Sequence, residues 1–400
     1  MKIVHLSFSD LSGGASIAAY RVHSALLNAG IKSELWVMKK FSKDNSVIDL
    51  SSNSDFYLLI IKTYIYLVRK LLTKSNLISL NYFNSNILER INRSDADIIN
   101  LHWVHNEMIS LEQINKINKP IVWTLHDAWI FSGASHYEEL HISFIHKLLN
   151  RWVSKRKVRY LTQKNITFIC NSAWTLRKII ESGQFSDAEK TVIHYPFDTS
   201  VWRPNELDIK IPSLNIRPQE KVILFGAIDS TRDKRKGFHL LLESLCLLGN
   251  YYKRSDLKIL IFGADRMQSK SIDMPFDMHF LGYITDPKML SKLYTIADMM
   301  VVPSLFEALG QTAIEAQLCG TPVVAFSDTG VSDIVQHKKT GFLSDDLSSE
   351  GLLEGMRFIL ERNKEFFRES ARENAVRKFS ADVIRNEYLK VYKNKLNKSK

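Results

Sequence analysis

Val302-Pro-Ser-Leu-Phe-Glu307-Ala-Leu-Gly310-Gln-Thr312-Ala-Ile-Glu315-Ala-Gln-Leu-Cys-Gly320-Thr-Pro322-Val-Val is the stretch on which the fold turns. The apolar run Met299 to Val302 reads as a buried strand that stops at Pro303. A loop with Glu307 and Gly310 follows, and a helix opens near Gln311. Gly320 supplies the left-handed stop that commonly ends a helix, and Pro322 to Phe326 reads as the next strand. Strand, loop, helix and strand in that order form one turn of a parallel α/β sheet.

The same rhythm runs outward in both directions. Lys221 to Phe225, Leu257 to Phe262 and Met278 to Leu281 read as strands ahead of it. Lys2 to Leu6, Ser33 to Val37, Ile98 to His102, Ile121 to Leu125 and Ile166 to Cys170 form an earlier series, with a crossover helix over Ser16 to Ala29 that ends at Gly30. Two α/β units in tandem are therefore expected. Pro196, Pro204, Pro212 and Pro218 crowd the interval between them and place a joint near residues 198–218. The expected division is 1–200 for the first domain and 201–379 for the second. An amphipathic final helix over 380–396 could pack on either. Open parallel sheets bind ligands at the carboxyl ends of their strands, so a cleft between the domains is the expected active site.

Of 400 residues, 45% are apolar, 24% charged and 10% aromatic, which fits packed globular domains and excludes disorder, collagen-like repeats and coiled coil. Cys170, Cys246 and Cys319 are scattered and odd in number, so neither a disulfide framework nor a cysteine zinc site is expected. The amino terminus shows no apolar leader, and a reducing cytoplasm is the expected location. Basic residues outnumber acidic ones, 54 to 43. Arg151, Lys155, Arg156, Lys157, Arg159 and Lys164 cluster without an acid among them, and Lys390, Lys393, Lys395, Lys398 and Lys400 crowd the tail. Such fields attract nucleic acid, anionic lipid headgroups or phosphorylated substrates. No nucleic-acid module accompanies them, so nucleic acid is not an expected partner, whereas an anionic membrane surface is. The most apolar stretch, Phe56 to Leu72, is interrupted by Lys62, Arg69 and Lys70, well short of the roughly 20 apolar residues of a membrane span. It reads as a helix packed on a core or as one lying in a bilayer interface.

The helix opening at Gln311 carries the chemistry. A helix amino terminus offers backbone N–H groups and a positive dipole end, so the amides from Ala308 through Leu309, Gly310, Gln311 and Thr312 can cradle a diphosphate. Glu315, one turn in, can reach two vicinal ribose hydroxyls, and Glu307 can reach hydroxyls of whatever the diphosphate carries. By itself the Glu307/Glu315 spacing is better read as surface decoration of a helix. Gly13 and Gly14 allow a backbone to approach a ligand closely, or make an ordinary turn. His102, His105, His126 and His136, with Asp127, invite a metal reading, but their spacings match no compact ligand motif, so no metal is expected. Asp95-Ala96-Asp97 precedes the strand Ile98 to His102 at its amino end, the face away from ligands, where capping of that strand is the better account.

With Pro-Ser ahead and Gly-Thr-Pro-Val-Val behind, the Glu307–Glu315 stretch resembles that of the nucleotide-sugar glycosyltransferases of family 4, retaining enzymes of the GT-B type. The resemblance covers nearly the whole chain. Gly13-Gly14-Ala15, Ala96-Asp-Ile-Ile-Asn-Leu-His102-Trp103, Trp123-Thr-Leu-His126-Asp127, Asn171-Ser172, Lys236-Gly237-Phe238, Gly282-Tyr283 and Thr340-Gly341-Phe342 fall in family order.

The resemblance implies a GT-B fold, two Rossmann-like domains with parallel sheets facing across a cleft. The acceptor domain comes first, the donor domain second, and the final helix returns to the first. It implies that Lys236 neutralises the donor diphosphate, that His126 contacts the donor sugar, that Glu307 serves catalysis, and that Glu315 holds the ribose. Gly13 and Gly14 would close over donor phosphate and acceptor, and the base would lie beside Tyr283. The family's usual arginine after the first strand of the donor domain is replaced by Ala227, with Arg232 and Arg235 as candidates to supply the missing cation. Family members with this Thr-Leu-His-Asp stretch often carry cysteines just downstream, and this chain has none there. The implied reaction is metal-independent transfer of a sugar, with retention, from a nucleoside-diphosphate sugar to a hydroxyl of a glycan or lipid-linked acceptor in cell-surface polysaccharide synthesis. The donor is a co-substrate, and no cofactor is expected. The enzyme would be cytoplasmic, peripheral on the inner face of the membrane. Two other readings are a GT-B nucleotide-sugar epimerase and a membrane-binding protein with a decayed active site.

Overall fold

The computed structural model describes residues 1–51, 63–64, 66–67, 77–137, 143–205, 214–217, 219–226, 233–264 and 274–398. The chain forms two compact units, Met1–Pro196 with Ala381–Lys400, and Phe197–Ser380.

Unit 1 is built on a parallel sheet of seven strands: β1 (Lys2–Ser9), β2 (Lys32–Lys39), β3 (Val47–Asp49), β4 (Ile98–Leu101), β5 (Ile121–Leu125), β6 (Ile166–Cys170) and β7 (Lys190–Val192). Their order is β3-β2-β1-β4-β5-β6-β7. Unit 2 holds a parallel sheet of six: β8 (Lys221–Gly226), β9 (Leu257–Phe262), β10 (Asp277–Phe280), β11 (Met299–Val302), β12 (Val323–Phe326) and β13 (Gly341–Ser344), in the order β10-β9-β8-β11-β12-β13. Each order reverses once, between β1 and β4 and between β8 and β11. Those reversals open the crevices at the carboxyl ends of strands where doubly wound sheets take ligands.

The central strands are apolar because helices cover both of their faces. Ile121-Val-Trp-Thr-Leu125 and Leu257-Lys-Ile-Leu-Ile-Phe262 are buried at every position. The register Ile121↔Ile166 through Leu125↔Cys170 brings β5 and β6 to a common end, immediately followed by His126 and Asn171. In unit 2 the helix Ser349–Leu360 buries Leu352, Met356 and Ile359 on the sheet, an i, i+4, i+7 stripe.

The segment after Pro196 belongs to unit 2. Trp202 is buried there, and Arg372 donates to the carbonyl of Leu318 (2.6 Å), to that of Thr199 (3.1 Å) and to that of Trp202. The helix Ala381–Asn397 belongs to unit 1. Its Ile384, Tyr388 and Tyr392 pack with Ile3, Val22, Leu26, Ile98 and Val122, Asn100 donates to the Tyr392 hydroxyl (2.7 Å), and Lys395 donates to the carbonyl of Asn165 (2.8 Å). Of the apolar stretch 56–72, all but residues 63, 64, 66 and 67 lie outside the described residues. Those four are helical and exposed.

Candidate functional site

In unit 2 the reversal point is occupied by the segment from β11 to the helix Gln311–Leu318. Gly310 caps that helix with φ +94°, a left-handed conformation that favours glycine, and no side chain caps the amino terminus. A Cβ on Gly310 would lie 2.9 Å from Val331, and one on Gly330 would lie 2.0 Å from the Ala308 carbonyl, so Ala308 to Gly310 is pressed against the next loop. The Gly330 amide also donates to the Glu307 carbonyl (2.7 Å).

A short 3₁₀ turn, Lys234–Lys236, leans on the end of the same strand: the Leu305 amide donates to the Arg235 carbonyl (2.8 Å). This brings Lys236 Nζ to 2.7 Å from Glu307 Oε2. Two residues far apart in sequence thus form one ion pair beside the amino terminus of the helix Gln311–Leu318. Glu315 is buried one turn inside the helix, where its Oε2 accepts from the Tyr294 hydroxyl (3.1 Å). Gln311 and Thr312 are half-buried, Leu309 is buried, and Tyr283 is exposed on the loop after β10. Arg235 pairs with Asp233, and Arg232 and Ala227 lie outside the described residues.

In unit 1, Gly13 (φ +88°) caps the helix Gly14–Leu27 at the carboxyl end of β1. His126 sits at the tip of β5, where its Nε2 is 3.0 Å from His102 Nδ1 and its Nδ1 is 2.7 Å from the Tyr195 hydroxyl. The chain continues at both ends, from His102 Nε2 to His5 Nδ1 (2.9 Å) and from Tyr195 to Asn171, which donates to it (2.7 Å). Both nitrogens of His126 are engaged in this chain. Burial pulls the His126 imidazole down to about 4 against the opposing pull of Asp127, and burial with neighbouring histidines holds His102 well below its ordinary value. The row is therefore neutral at pH 7.

Beside it, His105, Asp127 and His136 bring ligand-type atoms within 4.8 Å of one another. Asp127 already accepts from His136 Nδ1 (2.6 Å), the Trp103 indole (2.9 Å) and the Trp129 amide (3.0 Å), and His136 Nε2 meets the buried Ser79 hydroxyl (2.8 Å). Burial works against the Asp127 charge, but His136 and these donors outweigh it and hold the carboxyl well below its usual range. Asp127 and His136 are held by these bonds as a strut for the loop after β5, whereas the buried His105 Nδ1 finds no hydrogen-bond partner among the described residues. Asp95 and Asp97 lie at the opposite edge of the sheet, where Asp97 accepts from the Lys2 amide and Asp95 from the Lys2 ammonium, both at 2.7 Å.

Residues 12–201 match the family model for Glycosyltransferase Family 4, and residues 208–378 match that for glycosyl transferases group 1. The chain belongs to the group 1 glycosyltransferases. An uncharacterised glycosyltransferase of Methanocaldococcus jannaschii is 29% identical over 190 residues, 45% of this chain and 47% of that relative. The chain thus spans about half the length of that curated relative. An uncharacterised protein of the cps region of Klebsiella pneumoniae is 25% identical over 349 residues, 82% of this chain and 88% of that one. Among solved structures, Anabaena HepE in complex with UDP-glucose superposes with a TM-score of 0.69 at 16% identity, covering 98% of this chain and 100% of that one. The two parallel-sheet units have the GT-B fold.

Within this group 1 chain, the structure joins Lys236 to Glu307 and sets Glu315 in the adjoining helix, while Gly13, Gly14 and His126 stand at the carboxyl ends of β1 and β5 in unit 1. Sequence reading missed Tyr294, His5 and Tyr195. Tyr294 carried no signal beyond an apolar helical position. His5 and Tyr195 become partners of the site only when β1, β4, β5 and the segment after β7 are placed side by side.

Proposed function

We propose that this protein transfers a sugar from a nucleoside-diphosphate sugar to a hydroxyl of a glycan or lipid-linked glycan, with retention at the anomeric carbon and without a metal ion. The observation that carries this reading is the Lys236–Glu307 pair at the amino terminus of the helix that buries Glu315. A diphosphate seated on the first turn of that helix meets fixed amide donors and the Lys236 ammonium, which take the place of a divalent cation. As Lys236 turns to the phosphate, the Glu307 carboxylate becomes free to accept from sugar hydroxyls. Glu315, oriented by Tyr294, faces the ribose. The bond from the anomeric carbon to the diphosphate oxygen breaks, and the acceptor oxygen bonds to the same face of that carbon. The acceptor proton passes to the departing diphosphate. Stabilising the negative charge on that leaving group supplies much of the acceleration.

Unit 1 takes the acceptor near the Gly13-Gly14 turn and His126. The UDP-glucose in complex with HepE supports a nucleotide-sugar donor, and the cps region named for the Klebsiella relative is compatible with a role in cell-surface polysaccharide synthesis. The test is nucleoside-diphosphate release from a panel of sugar donors, with and without lipid-linked acceptors, in excess EDTA. Acceptor-dependent release that survives EDTA is expected, with an α-linked product from an α-linked donor by NMR. Turnover restored only by Mn²⁺ or Mg²⁺ overturns the metal-free reading. Release with a modified free sugar and no acceptor assigns an epimerase, and no release from any donor leaves a binding protein.

A further inference from the structure

The helix Phe144–Leu161 of unit 1 buries His146, Val153, Lys157 and Leu161 on one side. Its other side is unusual. Phe144 is 73% exposed, Ile145 and Leu148 each 50%, and Trp152 41%, at a spacing that places all four on one face. Lys147, Arg151, Lys155 and Arg159 are exposed beside them, and the helix contains no acidic residue. Tyr82, also exposed, lies 5.8 Å from Trp152, and Arg156 stacks over both rings. A soluble surface helix normally keeps large apolar side chains on its buried side. Here they are presented outward and rimmed by one sign of charge.

We infer that this face of the helix Phe144–Leu161 docks on the surface of an anionic phospholipid bilayer, with Phe144, Ile145, Leu148 and Trp152 entering the interface and Lys147, Arg151, Lys155 and Arg159 meeting lipid phosphates. The charge decides the occupant. A second copy of the chain would set these cations against their own kind, whereas an anionic bilayer accepts both the apolar and the cationic side chains. The structure also changes which residues do the binding. Lys157, one of the sequence cluster, is buried beneath the helix against Trp129, and Lys164 donates to the Ile117 carbonyl, so neither reaches a membrane. The inference deepens the reading of a lipid-linked acceptor by naming the surface that brings the enzyme to it.

The test is co-sedimentation of the full chain with vesicles of phosphatidylglycerol and phosphatidylethanolamine, against vesicles of phosphatidylcholine alone. Binding to the anionic vesicles is expected, weakening as salt rises, with a blue shift of tryptophan emission that Trp152→Phe removes. The triple change Phe144→Gln, Ile145→Gln and Leu148→Gln lies on the solvent side and spares the core. It is expected to weaken partition by on the order of a hundredfold or more. Arg151→Gln, Lys155→Gln and Arg159→Gln together are expected to weaken it by about a hundredfold, roughly fivefold for each charge. Failure to bind anionic vesicles at low salt, binding that both variants retain, or a change of oligomeric state in the triple variant each overturns the proposal. Vesicle binding without sugar transfer would defeat only the transferase reading, and transfer to a soluble acceptor without vesicle binding would defeat only this one.

Discussion

At the scale of single residues, the two glutamates differ in what holds them. Glu307 is paired to Lys236 at 2.7 Å, and Glu315 is buried and bonded to Tyr294. Glu307→Ala is expected to lower kcat on the order of 10- to 100-fold and leave nucleoside-diphosphate affinity intact or improved, because it removes a contact to the sugar and leaves Lys236 wholly to the phosphate. Glu315→Ala is expected to raise the donor KM by a similar factor with kcat little changed, since a ribose contact serves ground and transition states alike. Steady-state kinetics and calorimetry with the nucleoside diphosphate separate the two. Tyr294→Phe keeps the ring between Trp202 and Phe262 and removes only the hydroxyl that orients Glu315. We expect it to raise the donor KM by about five- to tenfold with an unchanged melting midpoint, while a fall in kcat alone would refute the positioning role.

At the scale of elements, the proposed donor site depends on how closely the 3₁₀ turn Lys234–Lys236 approaches β11. Gly237 follows that turn with φ +69°, and a Cβ there would fall 1.8 Å from the Pro303 carbonyl oxygen, which is backbone and has no room to yield. Gly237→Ala is expected to cost more than the ~1–2 kcal/mol of a left-handed backbone alone, lowering the urea midpoint and, by displacing Lys236, raising the donor KM. Gly30→Ala, at φ +74° with nothing within 4 Å of the added Cβ, is expected to cost the backbone term only. A smaller midpoint shift for Gly237→Ala than for Gly30→Ala would contradict the packing argument. β5, β6, β9 and β11 appear at the expected residues because each is an interior strand with a continuous apolar run. Of the four sheet edges, β10 was legible through Met278 to Leu281, whereas β3, β7 and β13, of three or four residues, are too short to carry a periodic signal.

At the scale of the whole molecule, the buried imidazoles of unit 1 set a pH limit on stability. Burial lowers His23 and His126 to about 4, and it holds His5, His102 and His105 well below the ordinary value. Between about pH 6.5 and 4 the unfolded chain binds protons that the folded chain refuses, so stability rises with pH across this window. It is fully present above about 6.5 and lost as pH falls toward 4. For a group at about 4 the loss is about 2 kcal/mol at pH 5. Urea midpoints should therefore drop steeply from pH 7 to pH 5, and substituting His23 with Gln should flatten the slope by about one proton. A midpoint independent of pH over that range would show that these rings take up protons as readily in the folded chain as in the unfolded one.

What the sequence by itself determined was the alternation of strand and helix, the helix that opens after Gly310, and the residues that crowd its amino terminus. These are local properties, written in periodicity, glycine and proline, and in the short spacing of Glu307, Gly310 and Glu315. The tertiary structure alone decided which of those residues touch. Lys236 meets Glu307 because β8 and β11 lie side by side in the sheet. The row His5, His102, His126 and Tyr195 forms because β1, β4 and β5 lie side by side in the sheet. The same holds for charge. In sequence Lys157 is one of six clustered cations, but the helical period places it with Val153 and Leu161 on the buried face and leaves Phe144, Leu148 and Trp152 outside. A hydrogen bond or a burial depends on distances across the chain, and no spacing along it records them.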